Sequence, residues 1–159
     1  MVEIKTEHLF DFTMKFYEPI LIGNGPEGQR IVSVTREGEF SGPKLRGTFE
    51  LGTVDWPRMR SDGVFELDVR CTLKTHDGAY IYMRYVGIVA APSADRMAAV
   101  VGYASGTHTE RVEHADYYQR TSLLFETGDP RYTWLNKIIA VGTGGMEYRG
   151  VSYSVHALL

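Results

Sequence analysis

The sequence predicts an all-β chain, an antiparallel β-barrel of about eight to ten strands with one short helix. Three observations predict strands arranged this way. Apolar and polar residues alternate with a period of two along most of the chain, as they do in strands with one face in a core. Seventeen Gly accompany an aromatic share of 12%, and Gly serves turns while aromatics suit a pleated surface. Helical spacing of useful length occurs in one stretch alone. At 159 residues the chain is expected to form one domain, 1–159.

The elements follow in order. Phe10, Phe12, Met14 and Phe16 share one strand face, opposite Asp11, Thr13, Lys15 and Tyr17. Residues 20–35 split at "GNGPEG" into two runs, a hairpin signal. Leu45, Gly47, Phe49 and Leu51 then alternate with Lys44, Arg46, Thr48 and Glu50. Phe65, Leu67, Val69, Cys71 and Leu73 oppose Glu66, Asp68, Arg70, Thr72 and Lys74. "HDG" at 76–78 reverses the chain into 79–89, because Asp-Gly accepts the positive φ of a tight hairpin turn. Further strands are expected at 117–126, 137–142 and 151–157, the last two separated by "TGGMEYRG".

Two stretches break the alternation. In "SADRMAAVVGYASG", Met97, Val100, Val101 and Ala104 have helical spacing, Ser93 is an N-cap and Gly106 a stop. This predicts a helix over 93–105, outside the barrel or across one end. In "GDPRYTWLN", Asp129 caps and Pro130 takes the first helical position, which predicts a single turn.

Alternation alone leaves two arrangements open. The polar faces can line a wet interior that holds a ligand, or they can face solvent around an apolar filling.

The composition narrows the functional classes. A net charge of −3 and a pI near 5.9 give no basic footprint for nucleic acid and no polybasic patch for a membrane. "MVEIKTEHLFDF" does not read as a signal peptide, and no apolar run approaches the roughly 20 residues of a spanning helix. Cys71 is the single cysteine, so an internal disulfide and a multi-thiolate zinc site are excluded. It alternates onto an apolar face, as an inert core thiol does. A cytoplasmic protein is expected. His108 and His114 flank Glu110 and Glu113 in "HTERVEH" without a standard zinc spacing. No dinucleotide fingerprint, phosphate loop or nucleophile elbow is present, so neither metal nor cofactor is expected.

Several residues are candidates for chemistry. "LGTVDWPRMRSDG" joins two strands, and a turn needs no tryptophan; Asp55 there either caps backbone N–H groups or acts as a general acid or base beside Trp56. Asp68 and Arg70 are spaced i, i+2 on one strand face, where they either pair, address a ligand or stand in solvent. Arg70, Thr72 and Tyr82 become cross-strand neighbours if the Asp77-Gly78 turn is tight. An arginine among phenols suits a planar anion, the guanidinium gripping a carboxylate and the rings its faces. Tyr118 and Arg120 share a face that continues to Glu126, a carboxyl beside Leu124 and Phe125 whose pKa burial can raise.

"EFSGPKLRGT", "VDWPRMRSDG", "ELDVRCTLKTHDGAYIYM", "DYYQRTSLLFETGDPRYTWLN" and "AVG" together resemble the family called domain of unknown function 3237, or uncharacterised protein family 0311. The similarity spans about residues 8–157. One departure is Gly52-Thr53-Val54, where the family has a Gly-Gly-Ala-type lead into Asp-Trp. The resemblance implies a closed antiparallel β-barrel of the calycin or allene-oxide-cyclase-like kind and a homo-oligomer, and of the two arrangements it favours the polar interior. It also implies cofactor-independent lyases, isomerases or cyclases on small aromatic molecules, among them lyases of hydroxylaminobenzoate and cyclases of fungal polyketide pathways. On that reading Asp55, Asp68 and Glu126 are the catalytic candidates. Trp56, Arg70, Tyr82, Arg120 and, in the Trp-Leu-Asn segment, Trp134 and Asn136 bind the substrate. Asp68, beside Arg70, suits a base or orienter better than an acid. A non-catalytic binding barrel is the alternative.

Overall fold

A computed structural model describes residues 3–159. Met1 and Val2, at the head of the segment read as lacking a signal peptide, lie outside the described residues. The strands are β1 (Thr6–Phe16), β2 (Ile20–Gly25), β3 (Gly28–Ser41), β4 (Arg46–Phe49), β5 (Val54–Asp55), β6 (Arg58–Met59), β7 (Phe65–Thr75), β8 (Tyr80–Ala90), β9 (Tyr118–Glu126), β10 (Ala140–Glu147) and β11 (Gly150–Leu158). One α-helix, α1, covers Ala94–Ser105.

The sheet closes. Its order is β1-β11-β10-β9-β8-β7-β4-β3, and the β1–β3 pairing joins the two edges. Between β3 and β7 the wall is one interrupted strand, built from β4, β5 and β6 in succession. The ring therefore has eight strand positions, all antiparallel, as the sequence predicts. β2 continues along the β3 edge beyond β1.

Inside and outside are assigned by parity. Phe10, Phe12 and Met14 on β1 are buried, as are every second residue from Phe65 to Leu73 on β7 and Ile81, Met83 and Tyr85 on β8. Gln119, Thr121, Leu123 and Phe125 continue the inner face on β9, and Val151, Tyr153, Val155 and Ala157 on β11. The polar parity faces out. The polar interior implied by the resemblance is thus corrected: the interior is apolar. An eight-strand ring is just wide enough to be filled by side chains, and unpaired Asp or Arg there would lose hydration without compensation.

One end is packed solid. The Phe10 ring lies 5.5 Å from Phe40 and 6.2 Å from Phe125. A 3-10 turn packs on β9 and buries Leu135; it covers Thr133–Lys137, so it starts three residues after the Pro130 expected at its first position, with Tyr132 in place of Asp129 at its N-terminus. Asp129 Oδ1 accepts the Arg131 N–H. At the other end lies α1. The Ser93 hydroxyl accepts the Arg96 N–H, and Gly106 ends the helix at φ 84. Met97, Val100 and Ala104 turn into the core.

Three local expectations are corrected. Leu51, expected on an apolar face, is 94% exposed because the chain turns between β4 and β5. The 137–142 strand begins at Ala140 and runs on to Glu147, so most of "TGGMEYRG" is strand. Its turn is only Tyr148-Arg149, and Arg149 has φ 54, the one positive φ among the described non-Gly residues.

Candidate functional site

The end beneath α1 is hollow. A cavity of about 420 Å³ lies among Phe65, Leu67, Tyr85, Met146, Val151 and Tyr153 of the barrel and Val101 and Ala104 of the helix. Phe16, Leu21 and Ile31 add apolar wall, and Tyr17, Glu18, Thr107 and Arg149 also line it. Its volume falls in the range of small-molecule sites.

Of the two carboxylates in its wall, Glu18 is exposed and Asp55, near Ser33, lies deeper. β5 holds it in register with Ser33 on one side and Val69 on the other. Val69 faces the interior, so Asp55 does too. The strand is broken immediately after it. Pro57 has no N–H to give, the Trp56 carbonyl accepts the Arg30 guanidinium at 2.7 Å, and the Asp68 N–H donates to Asp55 Oδ1 at 3.1 Å. The side chain thus caps a backbone group at a defect in the wall. The register is unchanged across the break, so ordinary alternation turns the next residue, Trp56, outward.

Asp55 keeps some accessible surface, but that surface faces the cavity, and protein surrounds the carboxyl. Burial pushes its pKa up to about 7. The N–H groups of Asp68 and Trp56 pull it down, and the Asp68 charge adds to the rise. No lysine or arginine pairs with it among the described residues. At neutral pH both protonation states are populated.

Two buried phenols accompany it. Tyr85, on β8, and Tyr153, on β11, have ring centroids 5.9 Å apart. Burial drives both phenols upward, and the Asp55 charge contributes, so each stays a neutral O–H. Gln119 Nε2 donates to the Tyr153 hydroxyl at 2.5 Å, while Gln119 Oε1 is buried without a partner. The Tyr153 hydrogen is left free to donate elsewhere. Burial also keeps the Cys71 thiol protonated. A carboxyl poised between its two states beside neutral phenols can transfer a proton and hydrogen-bond a developing oxyanion.

Of the residues singled out from the sequence, Asp55 lines this cavity and the others lie elsewhere. Asp68 and Arg70 form an ion pair at 3.1 Å on the outer wall. Trp56, Asp68 and Arg120 border an outer groove with Tyr118 and Ile88. The Arg120 guanidinium donates to Gln119 O and lies 5.0 Å from the Tyr118 ring centroid. Tyr82 pairs with Glu126 across β8 and β9, both facing out. Trp134 sits at the packed end with Lys44 5.4 Å from its ring centroid. Asn136 clasps the Thr127 backbone, accepting from its N–H and donating to its O, both at 2.9 Å. The sequence reading passed over Tyr85, Gln119, Arg149 and Tyr153. Three of them carried one signal: a polar group standing in the apolar parity of its own strand. Arg149 carried none.

Among the described residues no group of three or more His, Cys, Asp or Glu is placed to hold a metal, and no helix is long and apolar enough to cross a membrane.

The family model described as "Protein of unknown function (DUF3237)" matches residues 4–158. A UPF0311 protein of Clostridium acetobutylicum is 34% identical over 140 residues, covering 87% of this chain and 84% of that protein. A conserved protein of unknown function from Rhodopseudomonas palustris superposes with a TM-score of 0.88 at 26% identity, covering 100% of both chains. An enzyme from Penicillium herquei superposes with a TM-score of 0.70, covering 100% of this chain and 97% of that one; at 19% identity the likeness is one of fold.

Proposed function

The chain belongs to the DUF3237 family, and we propose that it is a cofactor-independent lyase or isomerase whose cavity holds a small aromatic molecule, with Asp55 transferring the proton. The observation that carries this reading is Asp55 itself, a carboxyl held near pKa 7 in a largely apolar cavity and paired with no lysine or arginine among the described residues. Such a group is costly to the fold and suited to general acid–base work near neutral pH. As an acid it gives its proton to a departing oxygen or nitrogen; as a base it takes one from carbon or oxygen. Tyr85 and Tyr153 donate hydrogen bonds to the oxygen on which charge develops, and the apolar walls hold the ring.

The same reading includes two further points. Val86, Ile88, Tyr118 and Leu124 stand exposed on the outer face of β8 and β9, an apolar stripe suited to burial against a second copy of the chain. A single buried thiol, Cys71, agrees with a cytoplasmic protein.

The test is incubation of the purified protein with hydroxylaminobenzoates and related aromatics, followed by product analysis. Turnover should fall about 100- to 10,000-fold in Asp55→Asn and stay near wild type in Asp68→Asn and Glu126→Gln. Binding of an aromatic without turnover of any of them would leave a storage or presentation barrel as the better reading.

A further inference from the structure

We propose that Arg149 is the specificity-determining anchor of this cavity. It takes the anionic group of the ligand at the mouth, so that the uncharged, reacting end points inward to Asp55. The inference rests on the functional reading above and adds the ligand's charge and its direction.

Arg149 and Asp55 both line the cavity, but they belong to different walls. Asp55 is in the interrupted strand between β3 and β7. Arg149 is in the β10–β11 turn, beside the end of α1. It is the one cation in the lining, against two acids, Glu18 and Asp55. Its guanidinium forms no ion pair and no side-chain hydrogen bond with any described residue, Glu18 included. It lies 5.9 Å from the Tyr148 ring centroid and packs on Gly106, where a Cβ would come within 2.6 Å of Arg149 Nε. Most other arginines of this chain are paired: Arg30, Arg36, Arg58, Arg60, Arg70 and Arg131 each hold a carboxylate.

The backbone beneath it is fixed. The Arg149 N–H donates to Tyr103 O at 3.1 Å, and its carbonyl accepts the Phe16 N–H at 2.8 Å. The turn that these bonds hold requires φ 54 at Arg149, a conformation in which glycine or asparagine is at ease and arginine is strained. A side chain kept in a strained backbone at the lip of a cavity, with its charge unspent, is placed for a ligand. A planar fork grips a carboxylate bidentately and fixes its orientation. Docking the anion here also keeps it away from Asp55, whose ionised form a nearby negative charge would disfavour further.

There is a competing structural role. A cation beside the last carbonyls of α1 favours the helix. The test separates the two. The probes are 4-hydroxybenzoate and its uncharged counterpart 4-hydroxybenzamide, with affinity measured by calorimetry on wild type, Arg149→Gly, Arg149→Lys and Asp55→Asn. Wild type should prefer the carboxylate at least tenfold. Arg149→Gly relieves the strained φ and should remain folded, with the preference gone. Arg149→Lys should keep part of it, and Asp55→Asn all of it. Equal binding of the two probes to wild type, a preference that survives Arg149→Gly, or no binding of either probe overturns the proposal. The two readings fail separately. A preference abolished by Arg149→Gly in a protein that turns over no aromatic defeats the catalytic reading and leaves the anchor standing. Turnover that depends on Asp55 without any carboxylate preference defeats the anchor alone.

Discussion

Asp55 and Asp68 are joined through one backbone hydrogen bond and lie on opposite sides of the same barrel wall. Asp68 faces solvent with Arg70 beside it. Asp55 faces a cavity, its carboxylate held by a backbone N–H and paired with no cation among the described residues, and its pKa stands near 7. Residue type is the same and separation is one strand. The difference is what replaces water around each carboxylate. On the outer wall, water and a guanidinium do so. On the inner wall, hydrocarbon does, and the ionised form becomes expensive. Charge that is visible as a pattern in a sequence is mostly charge that is comfortable. Charge that can do chemistry is placed where the pattern calls for something else.

The first way to break that comparison is to titrate stability, and it carries the largest effect. Unfolded, Asp55 should ionise near the ordinary aspartate value of 3.8; folded, near 7. Between these values the folded state holds a proton that the unfolded state has released, so stability falls as pH rises through the window. Below it Asp55 contributes no penalty. Above it the full penalty applies, on the order of 4 kcal/mol. Asp55→Asn keeps an acceptor for the Asp68 N–H and cannot ionise. The variant should therefore match wild type near pH 4 and exceed it increasingly towards pH 8. Asp11, Glu66 and Asp129 are lowered by their partners and give the opposite trend, stability lost on acidification, but they cancel in the difference between the two proteins. Denaturant titrations at several pH values measure it. A difference that does not change with pH would mean that Asp55 is solvated like Asp68.

How much of this was legible follows from the same contrast. The strands, the hairpin at Asp77-Gly78 and the helix from Ser93 to Gly106 come from periodicity and from cap and turn chemistry, which are local; the closure of the barrel is what the resemblance implies. Which parity faces inward is not local. It depends on ring size, and the resemblance favoured the wrong face. The polar runs around Asp68, Arg70, Tyr82 and Arg120 drew notice because they alternate cleanly, and clean alternation is what a solvated outer face produces. Asp55 was noticed through its neighbour Trp56, which turns outward; the two share a joint and no surface. Tyr85, Gln119 and Tyr153 are single polar groups among Ile81, Met83, Leu123, Phe125, Val151 and Val155. That kind of exception is a usable sequence signal. The position of Arg149 is not, because the strand expected to end at 142 runs on to Glu147 and draws the turn in to Tyr148-Arg149.

A second, smaller effect sharpens the comparison within the interior. Tyr153 has a hydrogen bond from Gln119, and the Tyr85 hydroxyl has none within the described residues. Tyr153→Phe leaves a fully buried amide without any partner, which should cost about 1–3 kcal/mol. Tyr85→Phe removes an oxygen that satisfies no protein group and should change stability by less than about 1 kcal/mol. Thermal or chemical unfolding of the two variants decides. Equal losses would mean that both hydroxyls are held by the protein and neither is left for a ligand.

The smallest effect belongs to the outer wall. The Asp68–Arg70 pair has side chains 42% and 48% exposed, so a double-mutant cycle with Asp68→Asn and Arg70→Gln should return a coupling of about 0.2–1 kcal/mol that shrinks in high salt. Asp68→Asn alone has a second consequence. The Asp68 charge helps to raise the pKa of Asp55 across the wall, so removing it makes the ionised Asp55 easier to tolerate. Above pH 7 this gain opposes the lost ion pair; near pH 4, where Asp55 is largely protonated in the folded state, it does not. The single variant should therefore look more destabilised in acid than at pH 8, although it removes an acidic group. If instead its stability change is the same at both values, the two aspartates do not sense each other through the wall, and the backbone N–H between them is their only connection.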